Sequence, residues 1–377
     1  MKFGLLYELE LPRPWTKHRE REIFHEALEQ IVLAEEMGFE YVWMVEHHFL
    51  TEFAHSCAPD VFLGAVSQRT SKIRLGYGVV VLPVNHPVRV AEQVATLDIM
   101  SNGRVEFGTG RSGTPYQLTP FGVDLKDTRG MWEEAVRIIP RMWTEEVFSH
   151  KGEYYNIPRR EVLPRPVQEP HPPIWVAASQ VETFAMAGER GLGALCFTLG
   201  APGNLKQCVD NYRAAIANPT KLVGSKANNN IAGFTVAYCD ENNRRGREMC
   251  LDAGMWYLGT ARSRYDKEWA GVDLDSLPAD YKFHNPYAGG SPHLKLAEKQ
   301  GPPPEEMLDN GSFCGGDPDA CIRTAEMYEA AGLDQFIGLF QAGRIAHKDI
   351  MSSLRLFGKH VIPHFQAKER RAARAKR

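Results

Sequence analysis

Eight short apolar runs recur along this chain, and the stretches between them show helical spacing or turn chemistry. The first run, Lys2 to Tyr7, precedes Arg19 to Met37, where Ile23, Ala27, Ile31 and Ala34 recur along one helix face. Gly38 follows, where a helix C-cap glycine belongs. Tyr41 to Val45, Ile73 to Leu82, Arg104 to Gly108, Pro173 to Ala178, Ala194 to Phe197, Ile231 to Cys239 and Gln335 to Leu339 read as the other strands. Helices are expected at Ala58 to Arg69, Pro87 to Met100, Thr128 to Trp143, Val181 to Glu189, Asn204 to Ala217, Glu241 to Leu258, Pro318 to Ala331 and Ile345 to His364. Ile73 to Leu82 is apolar nearly throughout, as a strand covered on both faces of a parallel sheet must be. This alternation defines an α/β protein. Pattern alone leaves two closures open, a (β/α)8 barrel and a doubly wound open sheet.

Two stretches break the alternation. Residues 147–173 begin as a hairpin turning at Lys151-Gly152 and continue as a proline-dense extended segment. Residues 261–317 are rich in Gly, Pro, Asp and Tyr with weak periodicity, the composition of a lid, a binding loop or a disordered excursion. We read residues 1–365 as one unit carrying both insertions, with 366–377 a basic tail. Hydrophobic residues make up 43 % of the chain, which is enough for a large core and excludes a disordered protein. The formal charge of −3 gives no argument for a nucleic-acid or anionic-membrane partner. No apolar run is long enough to span a bilayer. Seven scattered cysteines without a CxxC pair point to reduced thiols and a cytoplasmic location.

Chemistry is concentrated at the ends of the strands. Glu46-His47-His48 closes the second one; neighbouring side chains there point to opposite faces, so the two histidines do not share a metal. One imidazole at the strand's end suits acid–base work, and a structural histidine is the alternative. Gly108 to Gly113 spells GxGxxG, but Pro115 and Pro120 follow and no helix is expected to start at the third glycine, so a dinucleotide fingerprint is rejected. Arg111 in that turn suits an anion. Ser179-Gln180 joins a strand to a helix, where free N–H groups suit a phosphate and an ordinary Ser N-cap is the alternative. Gly76 and Gly78 interrupt the third strand, which marks either close packing or the approach of a ligand.

Together, WMVEHHFLTEF (43–53), VVVLPVNHPVRVAEQVATLDIMSNGRVEFGTGR (79–111) and PIWVAASQVETFAMAGERG (173–191) resemble the bacterial luciferase-like flavin-dependent monooxygenases in content, order and spacing. The resemblance implies a (β/α)8 TIM barrel that binds reduced FMN at the C-terminal ends of its strands. It puts the family's catalytic histidine at His47 and a non-prolyl cis peptide at Gly78-Val79. It places the phosphate at Gly110-Arg111 and Ala178-Ser179-Gln180, with no metal. It also implies a separate flavin reductase, O2 and a small organic substrate oxygenated through a peroxyflavin by a homodimer. The sequence departs from light-emitting members at Gly110, where they carry cysteine. A deazaflavin-dependent hydride-transfer enzyme and a non-catalytic flavin-binding protein share the fold and stand as alternatives.

Overall fold

A computed structural model of the chain describes residues 1–112, 114–196, 200–269, 277 and 304–375. Among these, eight parallel strands close into a barrel: β1 (Lys2–Tyr7), β2 (Tyr41–Met44), β3 (Arg74–Tyr77), β5 (Val105–Gly110), β8 (Ile174–Ala178), β9 (Gly193–Cys196), β10 (Ile231–Cys239) and β12 (Gln335–Leu339). β12 pairs with β1 at Phe336 and Phe3 and with β10 at Phe336 and Gly233, and the ring is closed where β10 pairs with β9 at Gly233 and Cys196. The open-sheet alternative is thereby excluded.

Helices α1 (Arg19–Glu36), α2 (Pro59–Arg69), α3 (Pro87–Met100), α5 (Thr128–Thr144), α6 (Val181–Glu189), α7 (Lys206–Ile216) and α8 (Asn243–Glu268) cover the outer face. Apolar side chains of the strands pack outward against them, so the strands read as continuous hydrophobic runs. Inside, Trp43 and Trp175 meet edge to face at 5.3 Å. Gly76 sits where a Cβ would overlap the Trp43 ring, so its role is packing.

Four expectations are corrected. The third strand does not run unbroken to Leu82. It stops at Tyr77, passes through a cis Gly78–Val79 peptide, and resumes as β4 (Val80–Val81), which pairs with Thr109 and Gly110. Hydrophobicity is continuous across this break, so the pattern could not show it. A helix does start after the glycine-rich turn: α4 (Pro115–Leu118) is a single turn with Pro at its first position, where the missing N–H costs nothing. The helix after β10 runs to Glu268 rather than Leu258. Its last turns are polar, and polar turns carry no apolar periodicity. Residues 304–309 are helical and 314–316 form β11 beside β10, so both ends of the expected 261–317 insertion are ordered structure. Residues 270–276 and 278–303 of that insertion, with Gly113, Phe197 and the last two residues of the tail, lie outside the described residues. The tail from 366 to 375 continues the helix Ile362–Ala375.

The hairpin forms as expected, from β6 (Phe148–Lys151) and β7 (Asn156–Arg160). Glu134 of α5 clasps its turn, accepting from the backbone N–H of Glu153, Tyr154 and Tyr155 at 3.0–3.1 Å. The proline-dense segment is tied down by Asp98 of α3, which is fully buried. Its carboxylate accepts from the backbone N of Val167 and Gln168, each at 2.9 Å, and from the Gln168 side chain at 2.7 Å. Replacing Asp98 with alanine leaves those donors unpaired and costs about 2–4 kcal/mol. The expected readout is a lower melting temperature with proteolytic cleavage appearing first within 158–173. Cleavage elsewhere first would show that Asp98 does not anchor the segment.

Candidate active site

In a parallel barrel the loops at the strands' C-terminal ends form the functional face. His47 follows β2, the Gly78–Val79 peptide follows β3, Arg111 follows β5, and Ser179-Gln180 follows β8. These are four consecutive staves, so the barrel gathers every predicted site residue on one arc of its rim.

The two histidines have separate partners. His48 Nε2 lies 3.1 Å from Glu46 Oε1, and its ring meets Phe121 edge-on at 4.7 Å. Glu46 also accepts from the backbone N of Val81 at 2.7 Å and from Asn85 Nδ2 at 2.9 Å, so it pins the strand after the cis peptide. His47 faces another way: its ring meets Phe53 at 6.2 Å, and Nδ1 lies 3.1 Å from Gln117 Oε1. Among the described residues no cluster of three His, Cys, Asp or Glu side chains can hold a metal.

The anion cradle is built by register. Thr109 of β5 pairs with Val176 of β8, so the chain two residues on brings Arg111 beside Ala178. The cap residue of α6 is Gln180 rather than Ser179. Gln180 is extended (φ −124°, ψ 152°) and makes no side-chain cap bond, while the Thr183 N–H donates to its carbonyl at 3.0 Å. Helix N-terminal amides and an arginine at neighbouring strand ends are the groups that suit a phosphate. Gly110 must stay without a side chain, because a Cβ there would overlap the Val79 side chain and stand 3.9 Å from that of Ala177. The wall between β4 and β8 is thus narrow. A cation, the first helix amides and a wall of small residues faced by Val79 are chemistry that suits a phosphorylated flat cofactor.

The opposite wall carries residues that the sequence reading passed over. β1 stands four staves from β8, across the mouth. Glu8 and Glu10 follow it, 4 % and 1 % exposed. Tyr257 of α8 donates to Glu8 Oε1 at 3.1 Å, and its ring lies 4.9 Å from that of Phe53. The backbone N of Gly343 donates to Glu10 Oε2 at 2.5 Å. Burial and the neighbouring Glu8 charge push the Glu10 carboxyl well above the usual carboxylate range. A cavity of about 350 Å³ lined by Glu10, Arg13, Gln341 and Arg344 opens beside it. Glu8-Leu9-Glu10, polar at alternate positions just past a strand, was the available signal.

The fold is thus a parallel barrel with a histidine, an arginine and a strand-to-helix joint on one arc of its mouth. The luciferase-like monooxygenase family profile matches residues 1–335, and the chain belongs to that family. The oxygenase component of a flavin-dependent trigonelline monooxygenase from Acinetobacter baylyi is 31 % identical over 195 residues, 51 % of this chain and 52 % of that protein. The match thus spans about half the length of the first curated relatives. The monooxygenase RslO1 from Streptomyces bottropensis superposes with a TM-score of 0.76 at 25 % identity, covering 97 % of this chain and all of that one. The oxygenating constituent of 3,6-diketocamphane monooxygenase from Pseudomonas putida, solved in complex with FMN, gives 0.73 at 20 % identity, with 96 % and 98 % covered. A coenzyme F420 dependent tetrahydromethanopterin reductase from Methanopyrus kandleri shares the fold at 0.67 and 20 %, with 97 % and 99 % covered. No helix among the described residues is long and apolar enough to cross a membrane.

Proposed function

We propose that this chain is the oxygenase of a two-component system that takes reduced FMN from a separate reductase and inserts one oxygen atom of O2 into a small organic substrate. The second oxygen atom leaves as water, and both electrons come from the reduced cofactor. The observation that carries this reading is the arc itself: a phosphate edge after β5 and β8, and His47 three staves from β8.

Reduced FMN, when bound, supplies the electrons that activate oxygen; the protein binds, shields and manages protons. Arg111 and the first amides of α6 hold the phosphate. Gly78, Val79 and Gly110 would shape the wall beside the cofactor. Phe53 and Tyr257 roof the mouth with apolar surface and limit water. His47 accepts a proton from, or returns one to, the oxygen being transferred.

The test is cofactor choice combined with Arg111→Ala. Wild type is expected to bind reduced FMN and to consume O2 in the presence of substrate. The variant should bind FMN about 10- to 100-fold more weakly, the worth of one charge-assisted pair, with riboflavin affinity unchanged. Equal losses for FMN and riboflavin would remove Arg111 from the phosphate site. Binding of a reduced deazaflavin with no response to FMN would establish the hydride-transfer alternative instead.

A further inference from the structure

Gln117 lies on α4, six residues beyond Arg111, and is 5 % exposed. Its Oε1 stands 3.1 Å from two nitrogens at once, the backbone N of His48 and Nδ1 of His47. A peptide N–H can only donate. The Gln117 atom facing it is therefore the carbonyl oxygen and not the amide nitrogen. That oxygen accepts and cannot donate, so His47 Nδ1 must bring a hydrogen to it. The same holds for neutral and for cationic imidazole. Nδ1 keeps its proton in both states, and Nε2 is the atom that gains and loses one.

We propose that Gln117 is a positioning residue that locks His47 in the Nδ1–H tautomer and so assigns proton exchange to Nε2. The proposal rests on the reading of His47 given above and deepens it. Many enzymes orient a working histidine with a carboxylate at the far nitrogen. Here the nearest carboxylate in sequence, Glu46, is engaged by His48, Val81 and Asn85. A neutral amide takes the orienting place. It fixes ring and tautomer without adding a negative charge that would favour the imidazolium. The backbone supports this arrangement: His47 N donates to Ser56 O at 3.1 Å, and Gln117 N donates to Thr114 O at 3.3 Å, so both residues are held in place.

The direct test is ring-nitrogen NMR on cofactor-free protein labelled with ¹⁵N-histidine, with His47→Gln used to assign the signal. The expected wild-type spectrum shows neutral His47 with Nδ1 protonated and Nε2 bare. Gln117→Leu should lose that pattern and populate the Nε2–H form. In the loaded enzyme it should lower kcat about 10- to 100-fold with KM little changed. Gln117→Glu should restore the Nδ1–H pattern and raise the pH at which the ring titrates, because an acceptor remains and now carries charge. A wild-type spectrum with Nε2–H at His47 would overturn the proposal, as would a tautomer unmoved in a folded Gln117→Leu protein. If leucine prevents folding, the wild-type and glutamate spectra decide. The spectra do not depend on turnover: a fully active His47→Ala enzyme would remove His47 from the proposed chemistry and leave the tautomer result standing.

Discussion

His47→Ala is expected to lower the rate of substrate oxygenation by about 10²- to 10⁴-fold, the usual contribution of a positioned acid–base group. Affinity for reduced FMN should stay close to wild type, because the phosphate edge lies two and three staves away, on β5 and β8. The fold should tolerate the change. Removing the imidazole does not orphan Gln117, whose oxygen still accepts the His48 backbone N–H. The packing of the imidazole against the Phe53 ring disappears with it, at a cost of about 0.5–1.5 kcal/mol. The measurement is product formed per O2 consumed, alongside a melting curve. The expected outcome is a stable protein that still consumes oxygen but releases most of it as hydrogen peroxide. Oxygenation at the wild-type rate would remove His47 from the chemistry.

The sequence made the scaffold readable because a parallel barrel writes itself plainly. Each strand is buried on both faces and shows as an apolar run, and function collects where those runs end. That logic singled out His47, Arg111 and Ser179-Gln180 as candidates, and the fold places them after β2, β5 and β8. It failed where the third dimension decides. Glu8 and Glu10 become a wall of the site only once β12 pairs with β1 and closes the ring, so that β1 faces β8. Gln117 was hidden because its helix is one turn long and opens on Pro115, which reads as a helix breaker although it is tolerated at the first position. The split of the third strand at Gly78–Val79 leaves no trace in hydrophobicity; there the family resemblance, and not the pattern, carried the expectation. Ser179 was one residue off because a strand-to-helix joint fixes the cap only to within a residue or two.

The closed end of the same barrel predicts the reverse behaviour, stability reduced with chemistry retained. Glu106 of β5 points into the barrel, 3 % exposed. One carboxylate oxygen pairs with Arg74 Nε, and the other accepts from Trp175 Nε1 at 2.6 Å. Arg74 in turn reaches Gln168 Oε1 at 2.9 Å, and Trp43 Nε1 donates to Gln335 Oε1 at 2.7 Å beside it. This layer plugs the barrel floor and ties β2, β3, β5, β8 and β12 to one another. Glu106→Ala strips the Arg74 guanidinium of its carboxylate and leaves the Trp175 N–H without an acceptor in the interior. Breaking one side of such a buried pair costs about 3–5 kcal/mol. Glu106→Gln should cost less, because the amide oxygen still accepts from Trp175 and no charge is buried. Glu106 precedes Gly110 by four residues, about 13 Å along the strand, so neither change reaches the phosphate edge. Below its lowered melting temperature the alanine variant should oxygenate substrate at the wild-type rate per folded molecule. A variant with wild-type stability, or one that is stable but inactive, would contradict the division of this barrel into a supporting floor and a working mouth.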